Sequence, residues 1–169
     1  DGTKSGIEMA AVSNGCGLTP GPNGLSFPVC ALEQLSSKMI PREDGGCLDY
    51  SGQVEVVSSR SKDGVDIGSN LRWGTYVTFR APSDYVKRCF SDYGLITDKS
   101  GTYSALWRPY HLIGLELGIS VAYVGLLGQP TGCPSDFSAD VIATAKRDLK
   151  VGEILDGEGG FMVWGRLMD

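Results

Sequence analysis

Histidine occurs once in this sequence, at position 111, and the five cysteines, Cys16, Cys30, Cys47, Cys89 and Cys133, form no Cys-x-x-Cys pair. A structural zinc needs four ligands at close spacing, so these residues point away from a zinc site. An odd, scattered set of thiols is also a poor disulfide framework and suggests buried cysteines in a reducing compartment. The chain has no Asn-x-Ser/Thr acceptor and no leader-like opening, and its longest apolar stretch, Leu112–Gly128, is short, rich in glycine and interrupted by Glu116. A bilayer span is not expected from such a stretch, and the cytoplasm is the expected location. Other absences concern chemistry. No glycine-rich turn of the dinucleotide-binding kind is present, nor a phosphate-cradling P-loop, nor a Gly-x-Ser-x-Gly elbow. A Ser-His-Asp arrangement would have His111 as its single candidate base.

What is present in excess is glycine, 24 residues of 169, which suits turns and close backbone approaches better than long helices. The 41% of hydrophobic residues can build a core. A net charge of -5 without long runs of one sign makes duplex nucleic acid and anionic membrane poor partners. The chain opens on Asp1 rather than Met and runs at once into Gly2-Thr3-Lys4-Ser5, which leads us to expect a piece of something longer.

Local patterns predict an α+β fold of short elements. Ile7, Ala10, Ala11 and Asn14 fall at helical spacing over residues 5–14, with Asp1 or Thr3 as N-cap and Gly15 or Gly17 as stop. Residues 17–27 hold prolines and glycines and predict a loop; residues 31–38 predict one or two helical turns and 43–46 another. Residues 53–58 (QVEVVS) and 71–79 (LRWGTYVTF) look like two antiparallel strands. Pro82, Ser83 and Asp84 start a helix with Val86, Cys89, Phe90 and Tyr93 on one face and Gly94 as its end. The helix expected after Pro109 repeats Leu112, Leu115, Ile119, Ala122 and Leu126, and Gly114, Gly118 and Ala122 give it a small-residue stripe for tight packing or for a ligand or second subunit. Residues 128–135 are turn-forming, after which strands are expected at 139–146 and 161–167, with a short strand at Ile154–Leu155 between two tight turns. We place a domain boundary there, giving 1–135 and 136–169.

Arg108, Tyr110 and His111 cluster around Pro109 ahead of the glycine-striped helix, where their side chains and its first amides could converge on an anion such as a sugar phosphate. The plainer alternative is that they satisfy local backbone groups. Glu116, in the middle of an apolar run, reads as exposed or salt-bridged before it reads as catalytic. Asp156 and Glu158, in a glycine-rich turn, could meet a cation or a sugar hydroxyl or simply be solvated. Asn14 and Asn23 flank the turn-rich loop and are further candidates.

Residues 1–11 (DGTKSGIEMAA) together with 107–121 (WRPYHLIGLELGISV) resemble homoserine dehydrogenase-like oxidoreductases that carry a C-terminal SAF domain, a group that includes 1-deoxy-D-xylulose 5-phosphate reductoisomerase-like enzymes. GQVEVVS and LRWGTYVTF fit the same pattern, and ATAKRDLKVGEIL with DGEGG resembles a SAF module of the β-clip type. The resemblance implies an antiparallel sheet with packed helices as remainder of a catalytic and oligomerisation domain, followed by a small SAF-like β-clip module. It also implies a missing N-terminal Rossmann domain that binds NADP in the full-length protein, no cofactor on this fragment, and a small phosphorylated or hydroxylated carbonyl substrate. Residues near the start would face the nicotinamide, and Lys4 fits that place: an ammonium there could polarise a carbonyl or steady an alkoxide. Glu8, four residues on, could pair with Lys4 in a simple salt bridge or help to bind a divalent cation. A homo-oligomer is expected. The rival expectation is a β-clip module that binds a carbohydrate or sugar acid with no catalysis of its own.

Overall fold

The computed structural model describes residues 2–111 and 114–169. Helices and two-stranded sheets alternate along the chain, which makes the fold α+β as the patterns predict. The chain forms two compact units, one of Asp1–Phe27, Gly52–Val56 and Gly132–Asp169, the other of Pro28–Ser51 and Val57–Thr131. Both units therefore gather segments distant in sequence.

In the first unit, helix α1 (Thr3–Cys16) begins after Gly2, which caps it in a left-handed conformation (φ 88°) without a side-chain bond, and ends at Gly17 (φ 66°), whose N–H donates to the Ser13 carbonyl. The expected N-cap therefore shifts: Thr3 is already helical, and Asp1 lies outside the described residues. The Thr3 hydroxyl is used elsewhere, accepting the Gly165 N–H at 2.9 Å. The buried stripe of α1 is Thr3, Gly6 and Ser13, with Ala10 packed against the core, while Ile7 is 55% exposed and Ala11 is exposed. This corrects the expected apolar face.

The two strands expected near the end of the sequence form as β5 (Asp140–Ala145) and β6 (Val163–Met168), and they pair as an antiparallel hairpin, in register from Asp140 opposite Met168 to Ala145 opposite Val163. Leu167, Val54 and Ala139 make the core, with Met9, Leu18, Leu25 and Val141 against it. Ile154 and Leu155 form no strand. Both are largely exposed, and their loop is held by side chains instead: Arg147 meets Glu153 at 3.1 Å and Asp156 accepts the Phe161 N–H at 2.6 Å.

The expected pairing of 53–58 with 71–79 is not formed. Only Gln53–Val54 is a strand (β2), parallel to Thr19–Pro20 (β1). Its run ends because Glu55 turns inward, buried, and its carboxylate accepts bonds from the Ser26 N–H and hydroxyl and from the Val56 N–H. A carboxylate out of water needs such donors.

In the second unit, residues 71–74 close a turn, the Gly74 N–H donating to the Leu71 carbonyl, with Trp73 at φ 68°. The strand starts only at Thr75: β3 (Thr75–Arg80) pairs antiparallel with β4 (Tyr103–Arg108), a strand the patterns did not reveal. A 3-10 turn (Leu32–Gln34), helix α2 (Leu35–Lys38) and a 3-10 turn (Arg42–Asp44) match the expected helical turns closely. Cys30, Leu35, Met39, Leu48 and Leu71 form the core, against which Tyr76, Ala105 and Trp107 pack. Tyr103 donates its hydroxyl to Asp44 at 2.6 Å, and burial together with that bond pushes its phenol up to about 12.

Helix α3 (Asp84–Asp92) is capped by the Ser83 side chain, which accepts the Val86 N–H, and buries Phe90 edge-on against Phe79 at 5.5 Å. Gly94 (φ 68°) closes it as expected, but Tyr93 is 81% exposed and leaves the apolar face. After Arg108 the expected long helix is shorter: α4 (Leu117–Ala122) continues into a wider turn at Tyr123–Leu127. Gly114 (φ 77°) precedes the helix, so it is not part of a packing stripe, and a side-chain carbon built at Gly118 or Gly125 would touch nothing within 4 Å. The expected Leu112 position lies outside the described residues. All five cysteines are free thiols, yet only Cys30 is buried; Cys16 and Cys133 are exposed, against the expectation of buried thiols throughout. Burial pushes the Cys30 thiol up to about 11.

Candidate active site

Because α1 turns 100° per residue, Lys4 and Glu8 lie one turn apart on one side of the helix. Lys4 is exposed and Glu8 half-buried. The simple salt bridge between them is not made, and the Lys4 ammonium has no partner among the described residues. Asn14, two turns further on, is occupied. Its side-chain oxygen accepts the Ser138 and Ala139 N–H groups at 2.8 and 3.0 Å, and its amide donates to the Ala139 carbonyl at 2.9 Å. That bracket ties the entry of β5 to the end of α1.

In the second unit, Arg108 ends β4 with one guanidinium nitrogen on the Glu116 carboxylate and its Cζ 4.3 Å from the centre of the Tyr110 ring. The hydrogen bond to Tyr110, with that to Glu116, holds the guanidinium pKa above its ordinary value. Tyr110 and His111 are exposed. Glu116 is the residue before α4, so a carboxylate stands at that helix start, where an anion had been expected. Its alternative reading as a salt-bridged residue is the one observed.

Asp156 caps its own turn, and the Phe161 N–H it accepts keeps its carboxyl below the usual range. The Asn23 carbonyl accepts from Arg166 at 3.0 Å. Among the described residues no group of three or more His, Cys, Asp or Glu side chains could hold a metal ion, and no helix is long and apolar enough to cross a membrane. Sequence reasoning missed the buried Glu55, whose one signal is a carboxylate among β-branched residues in QVEVVS.

The family model for the catalytic domain of oxidoreductase DRL matches residues 1–117. The chain belongs to the DRL oxidoreductase family. A search of curated proteins returns no match. The part that matches the DRL catalytic domain contains α1 with Lys4, Glu8 and Asn14 and the end of β4 with Arg108, Tyr110 and His111. The hairpin β5–β6 lies beyond the DRL match.

Proposed function

We propose that this chain supplies the substrate-handling part of an NADP-dependent oxidoreductase, homoserine dehydrogenase-like or 1-deoxy-D-xylulose 5-phosphate reductoisomerase-like, acting on a small phosphorylated or hydroxylated carbonyl compound. The observation that carries the reading is the match of an oxidoreductase catalytic domain to the segment that holds Lys4 and Glu8. We assign the nucleotide to a separate domain of the whole protein, as the resemblance implies, and place no chemical step on it here.

Lys4 is the residue we assign to the reacting oxygen. An unpaired ammonium is drawn most strongly to an oxygen as negative charge builds on it, which lowers the barrier rather than merely tightening binding. Glu8 keeps a carboxylate one turn away on the same side of the helix. On the other unit, Arg108 with Tyr110 and His111 can hold an anionic group only by giving up part of the Glu116 pair.

The test joins the chain to the segment encoded upstream of Asp1 and follows the NADPH absorbance with 1-deoxy-D-xylulose 5-phosphate, and NADP reduction with homoserine. One substrate should turn over, and Lys4→Ala should lower kcat/KM by about 100-fold or more, with partial return in Lys4→Arg. Turnover that Lys4→Ala leaves intact would remove Lys4 from the chemistry; no turnover and no NADPH binding would sink the oxidoreductase reading for this chain.

A second reading is favoured by the loop of residues 146–162, which leaves Val151, Ile154 and Phe161 at 107%, 89% and 85% exposure. In that reading the tail is a SAF-like β-clip that binds a sugar acid. Calorimetric binding of a sugar acid to the chain alone, abolished by Phe161→Ala, would favour it over the first. Association between copies we assign to residues 115–127: they carry eight exposed large apolar side chains from Leu115 to Leu127, and from 117 to 128 no charge. The matching segment of a second copy is an equally uncharged partner.

A further inference from the structure

Helix α3 has a second face that neither reading uses. Asp84, Lys87, Arg88 and Ser91 stand at i, i+3, i+4 and i+7, on one side of the helix that does not include the Phe90 packed on Phe79. With Gly101 they line an open cleft of about 370 Å³. A second cleft of about 340 Å³ adjoins it, shares Asp84 and Lys87, and adds Arg80 from the end of β3 and Thr102 from the approach to β4. The Ala81 N–H donates to the Thr102 carbonyl at 2.8 Å, so the two walls are joined by backbone. At Gly101 a side-chain carbon would come within 3.4 Å of the Lys87 stem; its absence leaves that stem room along the cleft.

Four arginines elsewhere in the molecule stand in ion pairs, and among the described residues the cations of this face do not. Arg42, Arg60, Arg108 and Arg147 each have a carboxylate within 3.2 Å. Arg80, Lys87 and Arg88 have no carboxylate partner among the described residues, and Asp84, the one acid of the two clefts, pairs with none of them. Three cations less one carboxylate leave two positive charges gathered in a chain whose net charge is -5. Clefts of this size are at the small end of those that take metabolites.

We propose that this double cleft binds the phosphoryl group of a small phosphomonoester. A phosphomonoester at neutral pH carries close to two negative charges, which the set neutralises. Two guanidinium forks can each meet a pair of phosphoryl oxygens, and Lys87 supplies a point charge between the clefts. A monocarboxylate would leave one cation uncompensated. The inference shares with the oxidoreductase reading the expectation of a phosphorylated compound, but it concerns residues that reading does not use, and binding alone tests it, so its failure would leave the turnover test of that reading untouched.

The experiment is a titration of the chain at constant ionic strength with glycerol 3-phosphate and inorganic phosphate, with acetate as monoanion control, read by calorimetry and by amide shifts in the NMR spectrum. Both phosphates should bind saturably and shift Lys87, Arg88 and Gly101, and acetate should not. Arg80→Gln, Lys87→Gln and Arg88→Gln should each weaken binding about tenfold, as loss of a charged hydrogen bond does. Arg42→Gln, which breaks a pair elsewhere, should change nothing. Arg80, Arg88 and Arg42 are exposed and Lys87 is half-buried, and an unchanged thermal midpoint checks that each variant folds. No saturable binding, equal shifts with acetate, or equal weakening in Arg42→Gln would overturn the proposal. So would association with phosphatidic acid vesicles in the absence of any response to glycerol 3-phosphate.

Discussion

Helix α1 and the segment 115–127 begin from comparable patterns, apolar residues three and four apart, and end in opposite surroundings. α1 buries Thr3, Gly6 and Ser13 and leaves Ile7 more than half exposed; the later segment leaves every large apolar side chain from Leu115 to Leu127 exposed. The difference lies in what each meets. β6 pairs with β5 on one edge alone, and its other edge would present unpaired N–H and C=O groups. α1 covers that edge: a side-chain carbon at Gly6 would sit 3.7 Å from the Gly165 carbonyl oxygen and the Leu167 nitrogen, and the Thr3 hydroxyl takes the Gly165 N–H. Only small or hydrogen-bonding residues fit so near a backbone, so they win the buried face over isoleucine. If that packing holds the unit together, Leu167→Ala should have the largest effect. Leu167 is 2% exposed among Val54, Ala139, Met9 and Ala10, and its truncation should cost about 2–5 kcal/mol in urea unfolding followed by circular dichroism. A loss under about 1 kcal/mol would mean that α1 does not depend on β6.

The parts of the fold that were legible in the sequence are those whose signals are local. Ser83 with Pro82 marks the start of α3 and Gly94 its end, Gly17 ends α1, and β5 and β6 fall on the strands expected at 139–146 and 161–167, with β6 running one residue further. Pairing was not legible, because it depends on residues far apart: β3 takes β4 as its partner rather than the nearer residues 53–58, and those lose their strand to an inward carboxylate at Glu55. Lys4 drew the reading as a site candidate through its motif, whereas the cations of α3 did not. The Phe90 stripe drew the reading to the apolar face of that helix, and Arg80 and Thr102 reach the clefts from other elements.

A sharper version of the comparison replaces one atom group at the α1 interface. Thr3→Val keeps the shape and removes the acceptor, so the Gly165 N–H stays buried without a partner and about 1–3 kcal/mol of stability is lost. Thr3→Ser, which keeps the hydroxyl, should lose less. Amide exchange at Gly165 separates the two, rising in the valine variant and staying near its original rate in the serine one. A loss in the serine variant with none in the valine variant would assign the effect to the methyl group, which lies near Gly165.

The smallest effect on stability belongs to the other side of the comparison. Val121 and Val124 are 65% and 61% exposed, so Val121→Ser with Val124→Ser takes away little burial within the chain, and each change should stay within about 0.5 kcal/mol. Association should respond instead. With a second copy on residues 115–127, light scattering should show an assembly larger than one chain, and the double variant should be smaller at equal concentration. An unchanged mass together with an unfolding midpoint lowered well beyond that margin would mean that this segment packs within its own chain, and the contrast with α1 would disappear.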